Sequence, residues 1–290
     1  MKRFISGTIL ILCAMSMVMA QRGQVFETRT IKSAILKMDR KYAIYLPAGY
    51  NETDCSYPVL YLLHGSGDDH TGWVQFGQVQ HIADKAIAEG NAGPMIIVMP
   101  DANTGVKGYF NDIQGNFNYE DFFFKELIPH IEKTYRVRSE RRYRAVSGLS
   151  MGGGGTIFYA LHQPDMFAAA APLSAATGNW DMEQFRLRFG NASPKPSDKQ
   201  MEDYFNRHNI EQIIKNADDN NLKKIKSIRW YISCGDDDFL YEGNSMMHIL
   251  FRKNEIPHEY RVKDGGHTWT YWRNELPIVL EFVSKSFMQL

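Results

Sequence analysis

The sequence predicts an α/β fold in which a mostly parallel central sheet is covered by helices on both faces. Unbroken apolar runs at residues 59–63 and 95–99 are typical of strands that are buried on both faces. Segments of helical periodicity, such as residues 78–88 and 244–253, alternate with these runs. Because such alternation favours parallel strands, polar residues that directly follow each strand are expected to meet at one edge of the sheet.

The remaining elements are predicted in chain order. Residues 25–36 and 40–46 alternate apolar and polar side chains, which predicts two antiparallel strands at the N-terminal end of the fold. Residues 119–135 have a helical pattern, although Pro129 is expected to kink that helix. The pattern also predicts a last helix at residues 272–288, and further strands at residues 143–147, 167–171, 228–232 and 259–262.

One long polar stretch, residues 180–226, separates two of the predicted strands. It contains short helical patches but no apolar run that would add a strand to the sheet. Connections of this length are either surface insertions or lids that cover a binding site. Both interpretations stay open for this stretch.

The first 20 residues have the pattern of a cleaved signal peptide. Lys2 and Arg3 precede an apolar run at residues 9–12, and Val18-Met19-Ala20 is a small-residue cleavage site. The apolar run is too short for a transmembrane anchor, and no other stretch is expected to span a bilayer. We therefore expect a secreted or periplasmic protein, cleaved near Ala20, with one domain over residues 21–290.

The composition of the 290-residue chain is that of an ordinary globular protein, with 44% hydrophobic and 23% charged residues. Lys+Arg and Asp+Glu each number 33, so the formal net charge is zero. Because no block of basic residues is present, nucleic acid is not expected as a partner. The composition does not predict an oligomeric state. Cys55 precedes a predicted strand and Cys234 ends one, so we expect them to lie too far apart for a disulfide.

The predicted strand at residues 143–147 leads into the pentapeptide Gly148-Leu149-Ser150-Met151-Gly152, which a helix follows. A G-x-S-x-G turn between a strand and a helix is the nucleophile elbow of α/β-hydrolases. The tight turn strains the backbone of its serine, so the residues two positions before and after must be small, as Gly148 and Gly152 are. The pattern predicts the α/β-hydrolase fold and Ser150 as the nucleophile.

A serine nucleophile needs a base that accepts its proton during attack. We predict that His267 is this base, because it lies between the last predicted strand and the last helix, and its preceding glycines let the loop approach the serine. His64, at the end of another predicted strand, is the strongest rival among the nine histidines. Its alternative role is to brace the loop that follows it.

The base needs a carboxylate that fixes its tautomer, and three aspartates that follow the strand at residues 228–232 are candidates: Asp236, Asp237 and Asp238. The chain order serine, aspartate, histidine is that of α/β-hydrolases. Three adjacent carboxylates could also hold a cation, but their spacing does not match a calcium loop. We expect one catalytic aspartate and neither a metal nor a cofactor.

The tetrahedral oxyanion that forms during attack needs two backbone N–H donors already in place. Met151 directly follows the nucleophile and is predicted to supply one donor. The turn His64-Gly65-Ser66-Gly67 follows a buried strand, and Ser66 is predicted to supply the other. An ordinary tight turn is the alternative interpretation of these four residues.

These motifs resemble the esterase D-like α/β-hydrolases, a group that includes feruloyl and acetylxylan esterases of carbohydrate esterase family 1, S-formylglutathione hydrolases and mycolyltransferases. The resemblance covers nearly all of the mature chain and rests on residues 62–65, 148–154, 234–240 and 265–267. It implies that Asp238, which precedes Phe239-Leu240, is the catalytic acid, with Asp236 as the second choice. The stretch at residues 180–226 is longer than the usual connection in that group.

The resemblance and the signal peptide together imply a secreted feruloyl esterase that acts on plant cell-wall polysaccharides or oligosaccharides, with arabinoxylan as the expected substrate. An acetylxylan esterase, an S-formylglutathione hydrolase-like thioesterase and a carbohydrate-binding protein on an inactive hydrolase fold are the alternatives. A hydroxycinnamoyl group needs an apolar slot, and sugars stack on exposed tryptophans. Aromatic residues near the strand-end loops are predicted to serve these roles: Tyr109, Phe110, Trp180, Trp269 and Trp272.

Overall fold

The computed structural model describes residues 22–103, 108–178, 181–189 and 193–288. The predicted signal peptide and Trp180 lie outside these residues. The described chain forms one eight-stranded sheet in the order β1-β2-β4-β3-β5-β6-β7-β8. The strands are β1 (Gln24–Ser33), β2 (Met38–Leu46), β3 (Val59–Leu63), β4 (Ile96–Pro100), β5 (Arg144–Leu149), β6 (Ala169–Leu173), β7 (Arg229–Gly235) and β8 (His258–Lys263).

The pairing of the strands confirms the predicted α/β-hydrolase fold class. β1 pairs antiparallel with β2, and β2 pairs antiparallel with β4. All the other neighbouring strands are parallel. The carboxyl ends of β3, β5, β6, β7 and β8 therefore lie along the same edge of the sheet, which is where polar side chains from distant parts of the chain can meet.

Helices lie between the strands and at the C-terminal end. They are α1 (Gly72–Gln75), α2 (Val79–Ala88), α3 (Tyr119–Phe122), α4 (Ile128–Thr134), α5 (Met151–His162), α6 (Met182–Phe189), α7 (Asp198–Arg207), α8 (Ile210–Asn216), α9 (Asp219–Lys226), α10 (Tyr241–Lys253) and α11 (Trp269–Met288). A π-helical turn, Phe123–Leu127, joins α3 to α4. Short 3-10 helices occur at Tyr50–Glu52 and Arg141–Tyr143.

Most boundaries differ from the sequence predictions by one to three residues, and two of the differences have a physical reason. The expected helix at residues 119–135 is divided by the π-helical turn, which leaves Pro129 in the first turn of α4, where proline is tolerated. The expected strand at residues 167–171 is shifted to Ala169–Leu173. Its small apolar side chains lack the alternation that would mark where pairing begins.

Both faces of the central strands β3, β4, β5 and β6 are buried, as the apolar runs predicted for β3 and β4. Alternate residues of β3 point to opposite faces: Val59, Tyr61 and Leu63 join one hydrophobic cluster, and Leu60 and Leu62 join the other. Helices α3, α4, α5 and α10 contribute to the first cluster, and α2 and α11 contribute to the second. This double cover fixes the sheet rigidly below the polar groups at its edge.

The stretch between β6 and β7 contains helices α6–α9 and a small hydrophobic cluster of its own, Phe185, Met201 and Phe205. An ion pair links it to the main body, because the half-exposed Arg207 side chain of α7 lies 3.4 Å from the buried Glu120 of α3. Glu120 also bonds His162 of α5 at 2.8 Å. These contacts hold the insertion against α3 and α5, and its role as a lid stays a prediction.

Both cysteines in the described residues are free thiols, with Cys55 exposed and Cys234 buried. None of the described helices combines the length and the apolar character that crossing a bilayer requires.

Candidate active site

Ser150 occupies the turn between β5 and α5, with φ 55° and ψ −116°. This left-handed backbone conformation is costly for a residue that carries a side chain, and it requires tight support from neighbours. A Cβ atom at Gly148 would come within 2.6 Å of the Gly152 carbonyl oxygen, and one at Gly152 would come within 2.6 Å of the Leu63 carbonyl oxygen. The chain crossing at this turn thus excludes side chains at both positions, as the pentapeptide predicted.

The structure brings Ser150, His267 and Asp238 together from β5, the loop after β8 and the loop after β7. His267 Nε2 lies 2.9 Å from Ser150 Oγ, and His267 Nδ1 lies 2.8 Å from Asp238 Oδ2. An ionised carboxylate accepts, so Nδ1 carries the proton and Nε2 is left as the acceptor for the serine hydroxyl. The arrangement gives the serine a base and gives that base an orienting acid.

Asp238 is 1% exposed, yet it is held as a carboxylate. Burial alone would raise its pKa, but hydrogen bonds from His267, from the Leu240 N–H and from Ser174 outweigh burial and lower the pKa of Asp238 below its ordinary value. The other two candidate aspartates are exposed, and within the described residues neither forms a hydrogen bond with His267. Asp236 instead accepts hydrogen bonds from the Gly265 N–H at 3.0 Å and the Asp237 N–H at 3.1 Å.

Ser174, which sequence reasoning missed, connects Asp238 to the interior. It follows β6 directly and has φ 43°. Its hydroxyl accepts a hydrogen bond from Trp272 Nε1 at 3.1 Å and bonds the carboxylate of Asp238. The Trp272 ring also lies edge-on to His267, with ring centroids 4.9 Å apart. The available signal was position, because Ser174 is a polar residue at the carboxyl end of a buried parallel strand.

The two predicted oxyanion donors lie beside the nucleophile. Met151 is the first residue of α5, and Ser66 lies in the loop after β3. The position of a Cβ at Gly65 would be 3.5 Å from Ser150 Cβ, which shows how closely this loop approaches the serine. Within the described residues, neither the Met151 N–H nor the Ser66 N–H has a hydrogen-bond acceptor. Both are therefore free to donate to a bound group, and their role in catalysis stays a prediction.

His64, the rival base, is buried below that loop. Its Nε2 accepts a hydrogen bond from the Ala102 N–H at 2.9 Å, so its Nδ1 carries the proton and donates to the Gly65 carbonyl at 2.8 Å. Burial lowers the pKa of His64, which favours this neutral form. Both ring nitrogens are thus engaged by the backbone, and the side chain braces the Gly65–Ser66 turn.

Two of the predicted substrate-binding aromatics lie in the interior instead, which corrects the prediction. Tyr109 is 0% exposed, and its hydroxyl donates to the His64 carbonyl at 3.1 Å. Trp272 is 5% exposed and is engaged with Ser174 and His267. The polar atoms of both side chains form hydrogen bonds inside the protein, so neither side chain lines a surface that a ligand could contact. Aromatic composition near a strand end does not reveal which way a ring points.

The other predicted aromatics differ in position. Phe110 packs on Phe158, with ring centroids 5.4 Å apart, on the side of the loop that faces α5. Trp269 is partly exposed at the start of α11 and contacts Trp272 edge-on at 5.3 Å. Trp180 lies outside the described residues. Of this group, Trp269 is thus placed where it can border the catalytic groups, and its contact with substrate stays a prediction.

Two exposed aromatic side chains were missed by sequence reasoning. Phe239 is 72% exposed although its ring lies 4.5 Å from that of His267. Phe76 is 51% exposed and lies 5.9 Å from Trp269. We call Phe76, Phe239 and Trp269 the aromatic rim. Phe239 directly follows the predicted acid in sequence, and this adjacency was the signal that could have identified it.

Asp236, Asp237 and Asp264 form an exposed acidic cluster next to the His267 loop, with carboxylate oxygens within 4.8 Å of one another. Asp236 is bonded to backbone N–H groups, as described above, and shapes the loop. Exposed carboxylates of this kind are common in proteins and do not by themselves form a metal site.

Comparisons with known proteins agree with this geometry. The model of the Esterase family matches residues 33–282. A solved structure described as a ferulic acid esterase is 34% identical and has a TM-score of 0.80, with 92% of this chain and 99% of that chain covered. An endo-1,4-beta-xylanase/feruloyl esterase from Xylanibacter ruminicola is 38% identical over 145 residues, which are 46% of this chain.

An esterase from Mycobacterium tuberculosis is 28% identical over 246 residues, or 78% of this chain. The chain spans 19% of the length of the Xylanibacter ruminicola protein and 52% of the length of this esterase. The match to the family model, by contrast, extends from β1 to α11. The chain therefore belongs to the Esterase family, as a serine esterase on the α/β-hydrolase fold.

Proposed function

We propose that the protein is a secreted feruloyl esterase that hydrolyses hydroxycinnamoyl esters of plant cell-wall polysaccharides, with arabinoxylan as the substrate. The observation that carries the proposal is the position of Phe239, an exposed ring in contact with the base His267, next to a complete set of triad hydrogen bonds. A flat apolar acyl group is matched by exposed rings at the reacting atoms, whereas an acetyl group needs none.

The names of two relatives support the substrate class. One is called a ferulic acid esterase, and the other combines xylanase and feruloyl esterase in its name. The second name also supports secretion, because polymeric xylan cannot enter a cell, and the signal peptide predicted for residues 1–20 agrees with this.

The proposed mechanism has two steps, formation of an acyl-enzyme and its hydrolysis. Ser150 Oγ attacks the ester carbonyl carbon while His267 Nε2 accepts the hydroxyl proton, and the carbonyl electron pair moves to the oxygen that Met151 and Ser66 stabilise. The tetrahedral intermediate then expels the sugar alcohol, which takes the proton from His267. The feruloyl group remains bound to Ser150 as an acyl-enzyme.

The second step reverses the proton transfers. Water attacks the acyl carbonyl as His267 takes its proton, and collapse of the new intermediate releases ferulate and returns the proton to Ser150 Oγ. Asp238 remains ionised throughout, because its hydrogen bonds keep its pKa low, and its charge stabilises the imidazolium form of His267 in both steps.

The test compares methyl ferulate with acetylated xylan, at equal enzyme concentration. We expect kcat/KM for methyl ferulate to exceed that for a simple acetyl ester with a comparable leaving group. Comparable or higher activity on acetylated xylan would replace this proposal with an acetylxylan esterase. If the enzyme hydrolyses none of these esters, and p-nitrophenyl acetate is not hydrolysed either, esterase activity is rejected for the chain.

A further inference from the structure

Asp68 lies in the loop between β3 and α1, two residues after the predicted oxyanion donor Ser66. Its N–H donates to the Gly65 carbonyl, which closes the loop back on itself. The position of a Cβ at Gly65 would be 3.5 Å from Ser150 Cβ and 3.8 Å from Asp68 Oδ2. The Asp68 carboxylate therefore borders the same small space beside Gly65 that the nucleophile borders.

The opposite side of Asp68 faces the aromatic rim. A Cβ at Gly72 would be 3.2 Å from Asp68 Cβ and 3.5 Å from Trp269 Cζ2. The absence of a side chain at Gly72 thus leaves the carboxylate next to the indole, and Phe76 extends the apolar surface beyond Trp269. A carboxylate beside partly exposed aromatic rings can bind a molecule that has both a hydroxyl group and an apolar face.

The carboxylate of Asp68 has no hydrogen-bond donor and no cation in the part of the chain that the structure describes. Its neighbour Asp69 differs, because the N–H and the hydroxyl of Thr71 both donate to it at 2.7 Å. Burial and the nearby charge of Asp69 raise the pKa of Asp68. A carboxylate without a partner, close to the site where an oxyanion forms, opposes the reaction unless bound substrate supplies a proton donor.

We propose that Asp68 is a specificity-determining residue whose carboxylate accepts a hydrogen bond from a hydroxyl group of the bound ester. This inference rests on the proposed function, since it assigns a subsite of the same reaction. The hydroxyl has two sources in a feruloylated sugar, the phenol of the acyl group and the hydroxyls of the alcohol. Both are donors, and the substrates in the test distinguish them.

The variants are Asp68→Asn, which keeps the shape but loses the charge, and Asp68→Ala, which removes the acceptor. Asp69→Asn is the matched control, because it removes the adjacent charge and keeps an oxygen that can accept from Thr71. The substrates are methyl ferulate, methyl 3,4-dimethoxycinnamate, which lacks the phenol, and a feruloylated arabinose oligosaccharide. p-Nitrophenyl acetate, which has no hydroxyl, reports the folded and active enzyme.

Removal of a hydrogen bond to a charged group commonly lowers the binding affinity by about tenfold or more. If the phenol is the donor, Asp68→Ala lowers kcat/KM for methyl ferulate by about tenfold relative to the dimethoxy ester, and Asp68→Asn, which keeps an accepting oxygen without the charge, lowers it by a smaller factor. If the sugar is the donor, the oligosaccharide loses the same factor relative to methyl ferulate. In either case Asp69→Asn keeps the wild-type ratios. Both Asp68 variants turn over p-nitrophenyl acetate at least as fast as the wild type, because this ester has no hydroxyl to lose a hydrogen bond and no longer meets an unpartnered charge near the oxyanion.

The inference is overturned if all substrate ratios stay at their wild-type values in both Asp68 variants. It is also overturned if every substrate, including p-nitrophenyl acetate, loses activity in parallel, because Asp68 would then act on the loop and not on the substrate. A wild-type enzyme that is inactive on all esters would instead defeat the proposed function, so the two failures are distinguishable.

Discussion

The residues that position the catalytic histidine and the exposed aromatic side chains beside it lie close together but differ in how the chain holds them. Asp238, Ser174 and Trp272, which we call the triad support, are buried and joined by hydrogen bonds. The aromatic rim is partly or largely exposed, and Phe239 touches His267 with its ring open to solvent. Packing thus fixes the triad support, and we propose that substrate choice depends on the exposed side chains that packing leaves free.

The largest expected effect concerns the nucleophile. Ser150→Ala removes the only atom that can form the acyl-enzyme and should lower esterase turnover by about 10⁴-fold or more. Circular dichroism should show an unchanged fold, since alanine fits the same turn. In a separate experiment, a serine-directed phosphonate should label Ser150 in the wild type, and a covalent adduct at any other residue would contradict the assignment.

The second prediction tests the triad support directly. Asp238→Asn keeps the size of the side chain but favours the wrong tautomer of His267, so kcat should fall by about 10⁴-fold, as at the corresponding position of other serine hydrolases. Asp236→Asn and Asp237→Asn are the matched controls, because both positions are exposed and, in the described part of the chain, neither side chain forms a hydrogen bond with His267. A severe loss in Asp236→Asn with a mild loss in Asp238→Asn would reverse the assignment.

The sequence predicted the triad geometry because each part of it has a local signature. The elbow needs glycine at positions 148 and 152, and the acid and base each follow a predicted strand in the chain order of α/β-hydrolases. The aromatic side chains have no such signature. Tyr109 and Phe239 both follow or border functional loops, yet Tyr109 is fully buried and Phe239 is exposed. Their directions depend on tertiary packing, which hydrophobic periodicity does not encode.

Ser174 shows the same limit within the triad support. Its importance comes from a contact with Trp272 across 98 positions of sequence. A serine at the end of a strand is common, and only the approach of α11 identifies this one. Ser150 and His267 were therefore predictable from motif and order, and Asp238 from the resemblance to a known family, whereas the residues that position them required the fold.

The third prediction concerns the aromatic rim. Phe239→Ala removes a ring that can cover about 60 Å² of a bound aryl group, and at roughly 25 cal/mol per Å² this is about 1.5 kcal/mol, or tenfold in kcat/KM for methyl ferulate. p-Nitrophenyl acetate should be affected by less than about threefold, since an acetyl group buries little surface. Ile249→Ala, which truncates an exposed apolar side chain on α10, is the control and should change neither rate.

Trp269→Ala, like Phe239→Ala, should lower the ratio of kcat/KM for methyl ferulate to kcat/KM for p-nitrophenyl acetate. Its interpretation is less direct, because Trp269 also packs edge-on against the buried Trp73, with ring centroids 5.1 Å apart. A parallel loss on both esters in Phe239→Ala would show that this ring positions His267. Phe239 would then belong to the triad support and not to the aromatic rim.

A smaller effect is expected from Trp272→Phe. This change keeps the ring beside His267 but removes the N–H that donates to Ser174, a hydrogen bond worth about 1 kcal/mol. We expect kcat to fall about threefold to tenfold with KM unchanged, because the bond orients Asp238 and does not contact substrate. A change confined to KM would place Trp272 in the substrate site, as the sequence first predicted.

The smallest expected effect is that of chelation. Prolonged dialysis against EDTA should leave kcat/KM for methyl ferulate unchanged, because a serine, histidine and aspartate arranged as here supply the nucleophile, the base and the orienting charge themselves. The acidic cluster of Asp236, Asp237 and Asp264 is the reason for the experiment, since it adjoins the loop that carries His267. A different result would show that a cation helps to hold this loop: EDTA removes the activity, calcium restores it in the wild type, and calcium does not restore it in Asp236→Asn. The triad support would then extend to the surface, and the contrast between a buried support and an exposed rim would no longer hold.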